Sequence, residues 1–222
     1  MYVNDKYVFI HHNKNAGVFV KDYMLANIPK TKVIVYKHAP LRCLPERHRK
    51  KIKIGVVRNP FEWYVSFFSY HKANGYYPKL SFEQYIRKHL DNSRGLISKA
   101  QKKNVLNKNA KIYPPSARYL DIGSCTYHYI HFFSYRAVKI LKEWKNDIFE
   151  HCFPEISDMD TLFRQERLYT GMTKFFNDPK ILALDRKNES KHKHYREYYT
   201  PELRRLVEKK DEALLKYYGY EY

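Results

Sequence analysis

The stretch Tyr7-Val8-Phe9-Ile10-His11-His12-Asn13-Lys14-Asn15-Ala16-Gly17-Val18-Phe19 decides the fold. Its first four residues are β-branched or aromatic, and a short apolar run of this kind reads as a buried strand. A polar loop carrying Lys14 and Gly17 follows, and then a helix. A strand that ends in a short loop opening a helix is an anion cradle, because loop and first-turn amides face a common point. Lys14 adds a point charge to it. An ATP-binding Walker loop needs Gly-x-x-x-x-Gly-Lys-Ser/Thr. Here the lysine precedes the stretch's single glycine and no Ser or Thr follows, so the Walker reading is disfavoured. Taken alone, the stretch also fits an ordinary strand-to-helix turn with a solvated lysine.

Working outward, Lys32–Tyr36 and Ile52–Val57 read as further buried strands, and Thr161-Leu162-Phe163 as a fourth. Length and β-branched content favour strand over helix in each. Strands alternating with helical stretches predict an α/β fold, an open parallel sheet flanked by helices. Asn59-Pro60-Phe61-Glu62 marks a helix start, with Asn as cap and Pro at the first helical position. Thr200-Pro201-Glu202 marks another. That last helix places Leu203, Leu206, Val207 and Leu214 on one face and ends at Gly219. Arg58 falls just beyond a strand's carboxyl end, where open α/β sheets bind ligands. Ser66 lies about two turns into the next helix. The bland alternative pairs Arg58 with a carboxylate and makes Ser66 a small residue at a helix crossing.

The chain has 222 residues, and 42 Lys+Arg against 23 Asp+Glu give a formal charge of +19. Hydrophobic residues at 44% and aromatics at 17% exclude a disordered basic tail. A chain of this size buries roughly 70% of its unfolded surface in one core, so residues 1–222 are read as a single domain. The charge calls for an anionic partner: nucleic acid, membrane, acidic polymer or a phosphate-bearing cofactor. No run of about 18 apolar residues suggests a membrane span, and Met1–Lys6 does not read as a signal peptide. Three widely spaced cysteines, Cys43, Cys125 and Cys152, argue for a reducing, cytoplasmic setting. His128-x-x-His131 and His192-x-His194 have metal-compatible spacing but no accompanying Cys or carboxylate cluster, so no metal is expected. Residues 92–118 hold seven basic side chains (Arg94, Lys99, Lys102, Lys103, Lys108, Lys111, Arg118) and no acid. They read as a long surface excursion.

Two segments resemble the cofactor signatures of sulfotransferases that use 3′-phosphoadenosine 5′-phosphosulfate (PAPS). Residues 13–19 are similar to the family's Pro-Lys-Thr/Asn-Ala-Gly-Thr-Ser loop. Val57-Arg58-Asn59-Pro60-Phe61 with Val65-Ser66 is similar to its Val-Arg-Asn-Pro-Tyr/Phe-x-x-x-Val-Ser stretch. Phe163–Leu168 and Asn188–Tyr220 resemble its closing segments. The likeness spans nearly the whole chain, and residues 92–118 match least.

The resemblance implies a P-loop-NTPase-like sheet and sulfuryl transfer from PAPS to a hydroxyl, with a carbohydrate as the favoured acceptor, leaving the product PAP. Lys14 would contact the oxygen bridging phosphorus and sulfur. The backbone of Asn15, Ala16, Gly17, Val18 and Phe19 would bind the 5′-phosphate, Arg58 and Ser66 the 3′-phosphate. Ser190, Lys191 and Lys193 would close over the nucleotide. His38 resembles the strand-end histidine of carbohydrate 2-O-sulfotransferase-like members and is the expected general base. It competes with a half-exposed loop histidine as the plain reading, and His71 and His131 are weaker candidates. Lys99, Lys102, Lys103 and Lys108 would meet an anionic or neutral glycan acceptor. The chain departs from the family at Asn13, where the pattern has Pro, and at Val18-Phe19, where it has Thr-Ser. Two hydroxyl donors are thereby lost, each charge-assisted bond being worth roughly 1.5–3 kcal/mol. An inactive PAPS or PAP binder is one alternative reading. A nucleic-acid-binding protein is another, carried by the +19 charge and 22 tyrosines; no RNP, KH, zinc-finger or helix-turn-helix signature supports it. A P-loop kinase is disfavoured by the missing Gly-Lys-Ser/Thr.

Overall fold

The computed structural model describes residues 1–90, 122–142, 153–185 and 192–222. They form two compact units, both discontinuous in sequence. One comprises the described parts of Met1–Arg58, Phe132–Tyr135 and Asp158–Ser190. The other comprises those of Asn59–His131, Arg136–Ser157 and Lys191–Tyr222.

The first unit carries a five-stranded mixed sheet in the order β3-β1-β2-β4-β5. The strands are β1 (Tyr2–Val3), β2 (Tyr7–Phe9), β3 (Lys32–Val33), β4 (Ile52–Val57) and β5 (Thr161–Arg164). β4 runs parallel to both β2 and β5, with Phe9 opposite Ile54 and Val57 opposite Arg164. β1 runs antiparallel to β2 and to β3, which corrects the expectation of a parallel sheet. The cause is local. Asn4 Oδ1 accepts from the N–H groups of Lys6 (2.8 Å) and Tyr7 (2.7 Å), and so tight a turn joins only antiparallel neighbours.

The run expected as a buried strand over Lys32–Tyr36 is strand only at Lys32–Val33. It lies at the sheet's exposed edge, with Val33 52% and Val35 54% exposed. Val35 has φ 61°, a left-handed conformation that ends extended pairing and that a β-branched residue seldom adopts.

Helix α1 (Gly17–Asn27) lays Phe19, Val20, Tyr23 and Met24 on the sheet's core. Spacings of one and four residues keep these four on one helical face. Leu168 and Met172 of the later helix Leu168–Phe176 join the same cluster with Phe9, Ile54, Val56 and Phe163. Each fully buried side chain of this kind contributes about 1.5–3 kcal/mol.

The second unit is helical. Helix α2 (Pro60–Ala73) opens as expected, Asn59 Oδ1 accepting from Phe61 N–H at 3.0 Å. It buries Phe61, Trp63, Tyr64, Phe67 and Phe68. Helix α3 (Phe82–Leu90) buries Phe82, Tyr85, Ile86 and His89. Most of α4 (Ser124–Phe133) and α5 (Ala137–Lys142) follow; counting Leu168–Phe176 as α6, the unit closes with α7 (Pro201–Lys210) and α8 (Glu212–Tyr218). The last two were expected as one helix. Asp211 stands between them with φ −108° and ψ 20°, buried and turned onto partners described below. Thr200 caps α7 through Leu203 N–H at 3.3 Å, and Gly219 ends α8 with φ 56°.

Candidate functional site

In the first unit, β2 and β4 end side by side, and the loop after β2 is fastened to β4 by its own side chains. Ile10 N–H donates to Ile54 O at 2.9 Å. Asn15 Nδ2 donates to Val56 O at 2.8 Å and lies 2.6 Å from His12 Nδ1. An amide nitrogen only donates, so His12 Nδ1 accepts and its proton sits on Nε2. Arg58, the residue after β4, donates from Nη1 to the Lys14 carbonyl at 3.2 Å. The two segments singled out in the sequence, 44 residues apart, therefore meet at one sheet edge.

Lys14 and Ala16 both adopt left-handed backbone, with φ 62° and 49°. Each such non-glycine residue costs on the order of 1–3 kcal/mol, and left-handed residues are an ingredient of the backbone curls that gather amide N–H groups. Helix α1 then opens with no side-chain cap and no acid in its first turn. The first amides of a helix have no intrahelical acceptor, so Gly17, Val18 and Phe19 present N–H groups toward the loop's end. Burial, together with the Arg58 guanidinium, pushes the Lys14 ammonium down to about 8. An anion there would reverse that shift by favouring the charged form.

His38 is brought to the same edge. Its Nδ1 lies 3.0 Å from the His11 carbonyl, and its ring meets the His11 ring at a centroid distance of 4.5 Å. A carbonyl only accepts, so Nδ1 carries the proton and Nε2 keeps its lone pair. Burial holds His38 at about 4, against the pull of that hydrogen bond. Around neutral pH the ring is an uncharged acceptor, and a value this low makes it a weaker base than a free imidazole.

The sequence reading passed over His11, the residue that organises this corner. It is 3% exposed, stacks on Phe9 at 5.7 Å, and is pushed down to about 2, chiefly by burial. A Cβ at position 17 would stand 2.0 Å from His11 Cδ2. Gly17 is thus required by close approach of the helix start to this ring. The pair His11-His12 ahead of Lys14 was the available signal, and both of its members are buried in packing and hydrogen-bonding roles.

The other expected site residues are placed as follows. Val18 is half-buried and Phe19 lies in the core, its ring 4.6 Å from that of Tyr169. Ser66 is buried on α2, in the second unit. Lys193 also belongs to the second unit, exposed and 3.5 Å from Glu197. Ser190, Lys191, Lys99, Lys102, Lys103 and Lys108 lie outside the described residues, as does Cys152. His71 Nδ1 is engaged with Tyr85 Oη at 2.8 Å, and the rings of His128 and His131 are 6.4 Å apart. Among the described residues no group of three or more His, Cys, Asp or Glu is arranged to hold a metal. No helix among them is long and apolar enough to cross a membrane.

These features define an α/β protein whose mixed sheet gathers cationic and imidazole groups at the carboxyl ends of two parallel strands. Comparison of the chain with protein-family models, with curated proteins and with solved structures found no match.

Proposed function

We propose that the loop after β2, with Lys14 and Arg58, binds the phosphates of PAPS, and that the chain transfers the sulfuryl group to a hydroxyl. A carbohydrate hydroxyl is the favoured acceptor. The observation that carries this reading is the Arg58 guanidinium on the Lys14 carbonyl, since it joins the two segments that resemble PAPS-binding signatures. Lys14 faces the bridging oxygen, loop and first-turn amides hold the 5′-phosphate, and Arg58 takes the 3′-phosphate by its forked donors.

The acceptor oxygen forms a bond to sulfur while the bond from sulfur to the bridging oxygen breaks. The electron pair of that bond stays on the departing PAP, where the Lys14 charge offsets it. The acceptor proton passes to His38 Nε2. Positioning and charge stabilisation supply most of the acceleration, as in phosphoryl transfer.

The test is transfer of radiolabelled sulfate from PAPS to a panel of glycans, small alcohols and peptides. Transfer to a glycan that is lost in Lys14→Ala supports the reading. PAP binding with no transfer to any acceptor would reduce the chain to a nucleotide binder.

A further inference from the structure

In the second unit His89 is fully buried, and neither ring nitrogen meets a hydrogen-bond partner among the described residues. A buried polar atom left so costs about 1–3 kcal/mol, so this arrangement needs a reason. The ring packs on Tyr85 at 4.1 Å and stands 6.0 Å from Tyr77 and 6.4 Å from His71. His71 in turn lies 5.6–5.8 Å from the rings of Tyr70, Tyr76, Tyr77 and Tyr85. Tyr70 and Tyr76 are 44% and 49% exposed. An exposed aromatic surface thus leads inward to an unsatisfied imidazole.

A neutral imidazole offers one donor and one acceptor, and burial keeps His89 neutral by pushing it down to about 3. A carboxylate can only accept and an ammonium only donate, whereas a hydroxyl does both. Aromatic walls with a few inward polar atoms are the usual lining of a small-ligand site, and their faces suit the C–H face of a sugar ring. The rim is basic. Residues 70–90 contain Lys72, Lys79, Arg87 and Lys88 against one acid, Glu83, which pairs with Arg87 at 2.9 Å. Lys88 Nζ lies 4.3 Å from the Tyr77 ring centre. Tyr77 is half-buried and has φ 56°, a strained conformation for a bulky residue and a natural point of yielding.

We propose that His71, Tyr77, Tyr85 and His89 form a binding site for a sugar ring bearing an acidic group, entered by displacement of Tyr77. The site belongs to the second unit and stands independently of the nucleotide reading.

The experiment titrates full-length protein, labelled with ¹⁵N-histidine, with a disaccharide containing glucuronic acid, and in parallel with neutral cellobiose. Saturable shifts of both His89 ring nitrogens are expected, with the acidic sugar at least tenfold tighter. His89→Phe should weaken it at least tenfold and leave the thermal response to PAP unchanged. Should His89→Phe fail to fold, the exposed Lys88→Gln must weaken the acidic sugar severalfold. Three results would overturn the proposal: His89 nitrogens that do not move (a trapped water only), undiminished binding by the variants, or equal affinity for cellobiose. Any of these with PAP binding intact sinks this site alone, and sugar binding without PAP binding sinks only the nucleotide reading.

Discussion

At Asp211, in the second unit, one buried carboxylate collects three hydrogen bonds. Thr126 N–H and Oγ1 donate to Oδ1 at 2.7 and 2.8 Å, and Tyr64 Oη donates to Oδ2 at 2.7 Å. At the end of β2, in the first unit, Lys14 sits against Arg58 instead, a like charge that adds to the lowering by burial, and His38 keeps an unprotonated Nε2. The first cluster has matched donors to acceptor and binds the fold together. The second concentrates donors and positive charge, an arrangement that an arriving anion improves. The comparison separates a buried polar group whose partners lie within the fold from one at which positive charge accumulates.

The largest expected effect belongs to the first unit. Arg58→Ala should abolish PAP binding at micromolar concentrations, read as loss of the thermal shift, while changing the midpoint of the unliganded protein by little. Lys14→Ala should lower turnover on the order of a hundredfold or more and nucleotide affinity much less; equal losses would remove Lys14 from the bridging oxygen. For His38→Ala, transfer should be nearly lost with PAP binding retained, and substantial residual activity would place the base elsewhere.

Asp211→Ala should show the opposite pattern. It strands three donors and should lower stability by about 3 kcal/mol in urea unfolding, with the PAP affinity of the folded molecules unaltered. A fall in affinity that matches the fall in stability would erase the distinction between the two clusters.

The pH dependence divides them again. Burial pushes the Asp211 carboxyl from 3.8 up to about 6, against its hydrogen bonds. The folded chain then holds a proton that the unfolded chain releases, so this contribution is full below about pH 4 and is lost as pH rises through 6. His38 acts in reverse. With its folded value at about 4 against 6.5 unfolded, its contribution is present above 6.5 and is lost as pH falls through 4. Between pH 4 and 6 the two contributions oppose each other, so Asp211→Asn should make the urea midpoint rise more steeply with pH across that range.

Gly17→Ala has the smallest expected effect on PAP, a severalfold weakening by displacement of the start of α1, beside about 1–3 kcal/mol of overpacking against His11. Unchanged affinity would show that the helix start does not face the ligand.

Much of this was legible in the chain itself, where local chemistry acts alone. The runs 7–10, 52–57 and 161–163 read as strands because composition and length suffice, and Asn59 and Thr200 announce helices because caps are local. Asn4 folding β1 back on β2 was missed because two residues leave no periodicity. Lys32–Tyr36 looked buried because sequence does not distinguish an edge from a centre. Asp211 interrupts an apparently continuous helix for the sake of Thr126 and Tyr64, distant in sequence. Lys14 and Arg58 were legible as candidates by type and spacing. The roles of His11 and His12 depend on which atoms they meet, and no spacing rule carries that.

Calorimetric titration of the protein with PAP, with ATP and with single-stranded DNA tests the central claim most directly. The account predicts micromolar PAP, ATP weaker by at least tenfold for want of the 3′-phosphate, and no measurable PAP binding by Arg58→Ala. Equal affinity for PAP and ATP, or tight DNA binding with none for PAP, would contradict it.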